Sequence, residues 1–334
     1  MNLAAFGNGH ADPGTLIVTK LASLARESEL SFKDKYNSLS TARRFISYCV
    51  QLGEAKAEYS EYVIPLLPLV FEALKSTIER EISDHPDCSM DENTAKRALE
   101  SEVTKQFRFA VAEISVTSVI SYNRKSDLSR VLTAVEAASG DSIWQVRHAS
   151  ANFLRCFQGA HKYVFTPEHV DLSLKIVAKL LADDRREVSD AAMAALTGIL
   201  AAFPEAKVST MVKKYSTVAR KSRMMKNKKA DEKTDTEKET KRAENQQRSV
   251  FFLCAAVMAR PYDTPPYVPV ALAAISPHSF ERSAPLNVRD TVKKVCAEYK
   301  KTHMSDNWAL HKKAFTEAQL EALEDVVSSP HYYA

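Results

Sequence analysis

Side chains able to do chemistry gather at the carboxyl end of this sequence. It closes on Pro330-His331-Tyr332-Tyr333-Ala334, which sets two phenols beside a terminal carboxylate. Such a group can be captured as a unit, the carboxylate by a cation or backbone donors and the rings by an apolar slot. Pro330 limits the conformational freedom that docking would remove. The alternative is a frayed terminus, the usual state of last residues. His303 and His311 lie upstream and read as surface or packing histidines. Asp84, His85, Asp87 and Cys88 share one loop, but no second ligand cluster at zinc spacing accompanies them. Gly7-x-Gly9 lacks the third glycine and the preceding strand of a dinucleotide fingerprint. G-x-S-x-G, H-E-x-x-H and P-loop motifs are absent. No catalytic, cofactor-binding or metal site is expected, and the protein is not expected to be an enzyme.

The element that aims the tail has an explicit start signal. Phe315, Thr316, Gln319 and Leu320 form a capping box with a hydrophobic staple, the Thr316 hydroxyl meeting the Gln319 N–H and the Gln319 side chain reaching back. Leu320, Leu323 and Val327 follow as one apolar stripe at helical spacing. Ser328-Ser329-Pro330 ends the helix, because proline pushes its predecessor out of the α region. Trp308 and Phe315 are expected to close the last helical layer.

Composition sets the class. The 334 residues contain only 7 glycines, about a third of the ~7% average, which favours helices joined by short turns over phosphate-cradling loops. A net charge of +4 supplies no field for non-specific nucleic-acid binding, and no direct nucleic-acid contact is expected. Cys49, Cys88, Cys156, Cys254 and Cys296 are widely spaced without a C-x-x-C, and most lie in apolar helical windows. They read as buried, reduced thiols of a nuclear or cytoplasmic protein. No secretory signal and no membrane span are expected.

An internal repeat then fixes the architecture. SIWQVRHASANFLRCF (142–157) aligns with RREVSDAAMAALTGIL (185–200) and, more loosely, with LNVRDTVKKVCAEY (286–299). The first two lie about 42 residues apart, the period of HEAT and armadillo helix pairs. The fold class is therefore all-α, an α-solenoid of HEAT/armadillo-type helix pairs in which stacking closes a core that one pair cannot. Helices are expected at about 15–28, 33–53, 57–82, 91–121 and 126–138. Another starts at Thr166-Pro167, with Phe165 and Val170 as its staple. The expected organisation is a disordered lead at 1–13, helical repeats at 14–220, a charged flexible insertion at 221–248, and C-terminal repeats at 249–334 ending in the tail. The insertion has almost no large apolar residue after Met225 and so cannot offset its ordering entropy. Lys221–Lys229 within it reads either as a nuclear-import address or as a solvated loop.

Four strings carry a resemblance: RPYDTPPYVPVALAAISPH (260–278), NVRDTVKKVCAEYKKTH (287–303), DNWALHKKAFTEAQL (306–320) and SPHYYA (329–334). In this order they resemble the C-terminus of the large single-chain HEAT-repeat proteasome activator family. The likeness is dense from about Arg248 to Ala334 and recognisable back to about Ile143. Family members are several-fold longer, so the chain corresponds to their C-terminal portion. The resemblance implies docking into the α-ring of the 20S proteasome core particle through a hydrophobic–tyrosine–any-residue tail. The Ala334 carboxylate would pair with a pocket lysine, the Tyr333 hydroxyl would bond to the wall, and Tyr332 would make apolar contact. The family also implies nuclear and cytoplasmic location, a link to DNA repair, and acetylated histones as partners through a bromodomain-like segment at about 143–229. The Asn–Phe pair of that candidate acetyl-lysine pocket stands here as Ala202-Phe203, which keeps the ring but not the amide.

Overall fold

A computed structural model describes residues 125–224 and 235–328, with isolated helical positions at 16, 20, 23, 34, 37, 41, 44, 67, 68, 71, 72, 74, 75, 78 and 79. The lead at 1–13, the loop at 83–90, the helix expected at 91–121 and the tail at 329–334 lie outside the described residues. Every regular element described is a helix, α or short 3-10, so the fold is all-α. None of these helices is long and apolar enough to cross a membrane.

Residues 1–173 and 174–334 form two compact units. In the first, α1 (Lys125–Ala138) packs on α2 (Trp144–His161). Leu128, Val131, Leu132 and Val135 recur at three- and four-residue spacing and are all buried, the stripe that drives an amphipathic helix onto a neighbour. A chain of rings continues the core. Phe71 meets Phe153 at 6.2 Å, Phe153 stacks on Phe157 at 5.5 Å, and Phe157 reaches Phe165 at 5.9 Å. A histidine joins Phe165 at the start of the next helix. His169 lies under the Phe165 ring, and its Nδ1 accepts from the Thr166 N–H at 3.1 Å. Of the cysteines, Cys254 and Cys296 are buried free thiols, as expected, but Cys156 is exposed on the outer face of α2. A helix turns one flank to water whatever its average hydropathy, and Cys156 falls on that flank.

α3 (Pro167–Leu180) spans the division between the units. In the second unit follow α4 (Arg186–Ala201), α5 (Glu205–Met224), α6 (Asp235–Met258), α7 (Tyr267–Ile275) and a 3-10 turn at Ser276–Ser279. Then come α8 (Leu286–Ser305), α9 (Trp308–His311), a 3-10 turn at Lys312–Ala314, and α10 (Glu317–Val327). The packing is a two-row ladder: α6 lies against both α4 and α8, α7 lies against both α5 and α10, and α5–α6, α6–α7 and α8–α10 contacts tie the rows. Each helix touches its near neighbours, the rule of armadillo- and HEAT-type repeats. α4 and α8 are the second and third copies of the sequence repeat, and α6 is the rung between them.

That rung corrects the expected flexible insertion at 221–248. α5 runs through Met224, and α6 already begins at Asp235, so both ends of the charged stretch are helical. The reason is side-chain capping across the fold. Backbone carbonyls at and just beyond the end of α3 lack intrahelical donors, and α6 supplies them. Gln247 Nε2 donates to the Leu181 and Asp183 carbonyls at 3.1 and 2.7 Å, and Arg248 Nε donates to that of Ala178 at 2.8 Å. Gln247 Oε1 in turn accepts from Asn287 Nδ2 at 3.2 Å. Past this polar collar, Val250–Val257 are buried without a break. Gln247→Ala would leave those carbonyls unpaired, and such groups cost about 1–3 kcal/mol each when buried. The substitution is expected to lower the unfolding free energy by about 2–3 kcal/mol in urea titration, while exposed Glu244→Ala leaves it within about 0.5 kcal/mol.

Candidate functional site

The helix that launches the tail starts as its sequence dictates. Thr316 is extended at the N-cap (φ −78, ψ 162), its hydroxyl accepts from the Gln319 N–H at 3.4 Å, and the Thr316 N–H donates to Gln319 Oε1 at 2.9 Å. Both halves of the capping box are present. The apolar stripe is rotated from the expected one: Leu323 and Val326 are buried, whereas Leu320 and Val327 flank them half-buried. The reason is the surface below, since α10 settles on α7, α8 and the 276–279 turn together.

A mixed aromatic and polar cluster holds the entry to α10. Phe315 packs against Tyr299 at 6.2 Å and half-buried Trp308 at 6.1 Å, as expected of closing residues. Beneath them, Thr264 Oγ1 lies 2.8 Å from the Tyr299 hydroxyl and 2.9 Å from His311 Nδ1. His311 Nε2 then meets Asp306 Oδ2 at 3.0 Å. His303 is buried, with Nδ1 donating to the Tyr299 carbonyl at 2.8 Å and its ring edge-on to His311 at 4.4 Å. Burial pushes the Tyr299 phenol up to about 12, against the Thr264 hydrogen bond. This relay ties the α6–α7 connection to α8 and α9, and it fits the packing role expected of both histidines. Nothing in the sequence announced Thr264 as its centre.

Of the residues expected to act, Phe203 alone is described; Pro330, Tyr332, Tyr333 and Ala334 lie outside the described residues. Phe203 is buried at the wall of a cavity of about 460 Å³, with Val208, Pro265 and Tyr267 beside it and Glu205, Arg260 and Asp263 at its rim. The Lys207 ammonium sits 4.1 Å from the Phe203 ring centroid. Tyr267 is raised by burial, which the Arg260 guanidinium opposes and the Glu205 and Asp263 carboxylates reinforce. The lining holds no asparagine amide for an acetyl carbonyl, and Ala202 is exposed.

The 276–279 turn under α10 carries a buried titratable group. His278 is fully buried; its Nδ1 lies 2.9 Å from Gln246 Nε2 and 3.4 Å from Glu281 Oε2. Burial pushes its imidazole down from 6.5 to about 4, opposed by the Glu281 carboxylate and helped by the Arg223 guanidinium. The unfolded chain takes up this proton near pH 6.5, but the folded chain does not until about pH 4. The stability contributed by keeping His278 neutral is therefore complete above 6.5 and lost as pH falls towards 4. Between pH 7 and pH 4.5, wild type is expected to lose roughly 2 kcal/mol more unfolding free energy than His278→Asn, compared by urea titration at both pH values.

Residues 243–334 match the family described as Proteasome activator complex subunit 4-like, C-terminal. The chain is 30% identical over 210 residues to Proteasome activator subunit 4 of Arabidopsis thaliana, covering 63% of this chain and 11% of that protein. It is 29% identical over 208 residues to Proteasome activator complex subunit 4 of Homo sapiens, covering 61% and 11%. The family resemblance carried by the four strings therefore holds, and the chain spans about 11% of the length of these relatives. Among solved structures, a designed armadillo repeat protein aligns over 92% of this chain and 99% of its own, with 14% identity and a TM-score of 0.35.

Proposed function

We propose, from the match of residues 243–334 to the family described as Proteasome activator complex subunit 4-like, C-terminal, that this chain is a non-enzymatic proteasome activator module. The observation that carries the reading is the reach of that match, which runs to Ala334 and so takes in both α10 and the tail. In this reading Tyr332, Tyr333 and the Ala334 carboxylate enter a pocket of the 20S core particle α-ring. Pro330 launches them, and the gate opens without ATP. The module works in the nucleus and cytoplasm.

Physical argument supports the division of labour. A short peptide binds weakly alone, and a rigid platform converts it into a ligand at high effective concentration. α10 supplies that platform through its capped start and its seat on α7, α8 and the 276–279 turn. Opening requires that the tail bind the open α-ring more tightly than the closed one, since equal affinity shifts nothing.

Fluorogenic peptide turnover by purified core particles tests the reading. Wild type is expected to raise turnover; Tyr333→Ala and a chain extended past Ala334 are each expected to return it to the level of core particles alone. Three indistinguishable curves would reject the activator role for this chain. Native electrophoresis reads binding separately.

A further inference from the structure

We propose that the chain's own closing residues, Tyr332, Tyr333 and the Ala334 carboxylate, dock in the cavity between Arg220, Arg223 and Phe280, so that this surface holds the docking element in reserve until a partner takes it. The inference rests on the tail being the docking element, as read above. What any partner must offer such a tail is a cation for the carboxylate and an apolar slot for the rings. The second unit carries that combination on its own surface.

The cavity, of about 600 Å³, lies between the last turn of α5 and the end of α7. Arg220 and Arg223 supply its charge; Ala273, Ala274, Pro277 and Phe280 supply its apolar wall. Phe280 is 52% exposed, a large ring left open beside two guanidinium groups. The two arginines are not equivalent. Arg223 Nε lies 3.8 Å from Glu281 Oε2, and that carboxylate oxygen also accepts from Gln246 Nε2 at 2.9 Å. Arg220 has no ion-pair partner among the described residues. The cavity thus holds one uncompensated positive charge next to an open aromatic surface.

α10 touches two elements that wall this cavity, α7 and the 276–279 turn. Phe315, just ahead of α10, packs on Tyr299 well along α8. α10 also touches the 276–279 turn that precedes α8. Pro277 of that turn and Phe280 after it wall the cavity. The chain beyond Ser328, residues 329–334, can span about 20 Å when extended, roughly two helix diameters. An intramolecular ligand needs little intrinsic affinity, because a short tether holds it at millimolar effective concentration. Self-capture would lower the tail's apparent affinity for a partner by the fraction of tails left undocked.

A fluorescein-labelled peptide of sequence SPHYYA tests this in trans. The chain lacking residues 332–334 is expected to bind it saturably. Binding should weaken at least about fivefold for the C-terminally amidated peptide, for Arg220→Ala in the shortened chain, and for the full chain, whose cavity is already filled. Absence of saturable binding to the shortened chain overturns the proposal, as does equal binding of acid and amide or indifference to Arg220→Ala. Circular dichroism of Arg220→Ala checks that the fold is retained. With core particles, Arg220→Ala in the full chain is expected to increase tail-dependent turnover about twofold or more. Should no tail dependence of turnover appear at all, the activator reading falls, while capture of the peptide in trans still decides the self-docking proposal.

Discussion

Three carbonyls at the end of α3 decide how the second unit is built. Ala178 within α3, and Leu181 and Asp183 just beyond it, present oxygens without an intrahelical donor, and Gln247 and Arg248 of α6 reach them. A polar group buried without a partner costs more than a typical hydrogen bond gains, which applies most fully to the buried bond from Gln247 to the Leu181 carbonyl. This contact places α6 in its row between α4 and α8. The unbroken apolar segment that follows becomes the centre of the core, with Tyr215 stacked on Phe252 at 3.8 Å.

Rigidity is handed from this centre towards the carboxyl end by a second set of polar contacts. Thr264, between α6 and α7, gathers the Tyr299 hydroxyl and His311, and the aromatic pair Trp308–Phe315 closes over them. The capping box then begins α10 at a fixed point, and Leu323 and Val326 set its rotation. Each step leaves few orientations for the next, so α10 enters the fold with its start and rotation fixed.

Charge is distributed with the same economy around the 276–279 turn. Glu281 receives Gln246, neighbours His278 and faces Arg223, so its charge is compensated locally, whereas Arg220 remains open to a carboxylate. The Phe203 cavity is different in kind, ringed by Glu205, Asp263 and Arg260 and topped by Lys207. The second unit therefore carries two chemically distinct concavities.

Local rules determined much of this protein. Glycine scarcity and three- and four-residue periodicity gave the all-α class, the 42-residue spacing gave the repeat, and Thr316 with Gln319 gave the start of α10, because each depends on residues within a few turns of one another. Tertiary contact alone decided the rest. Asp235–Arg248 reads as solvated chain, yet it is helical because its polar heads meet carbonyls some 65 residues upstream. Likewise, Thr264 and Arg220 carry no motif. Their importance comes from what the fold sets opposite them, a phenol and an imidazole for one and an open aromatic wall for the other. A hydrogen bond or a charge imbalance across distant segments has no period in the sequence, and only packing creates it.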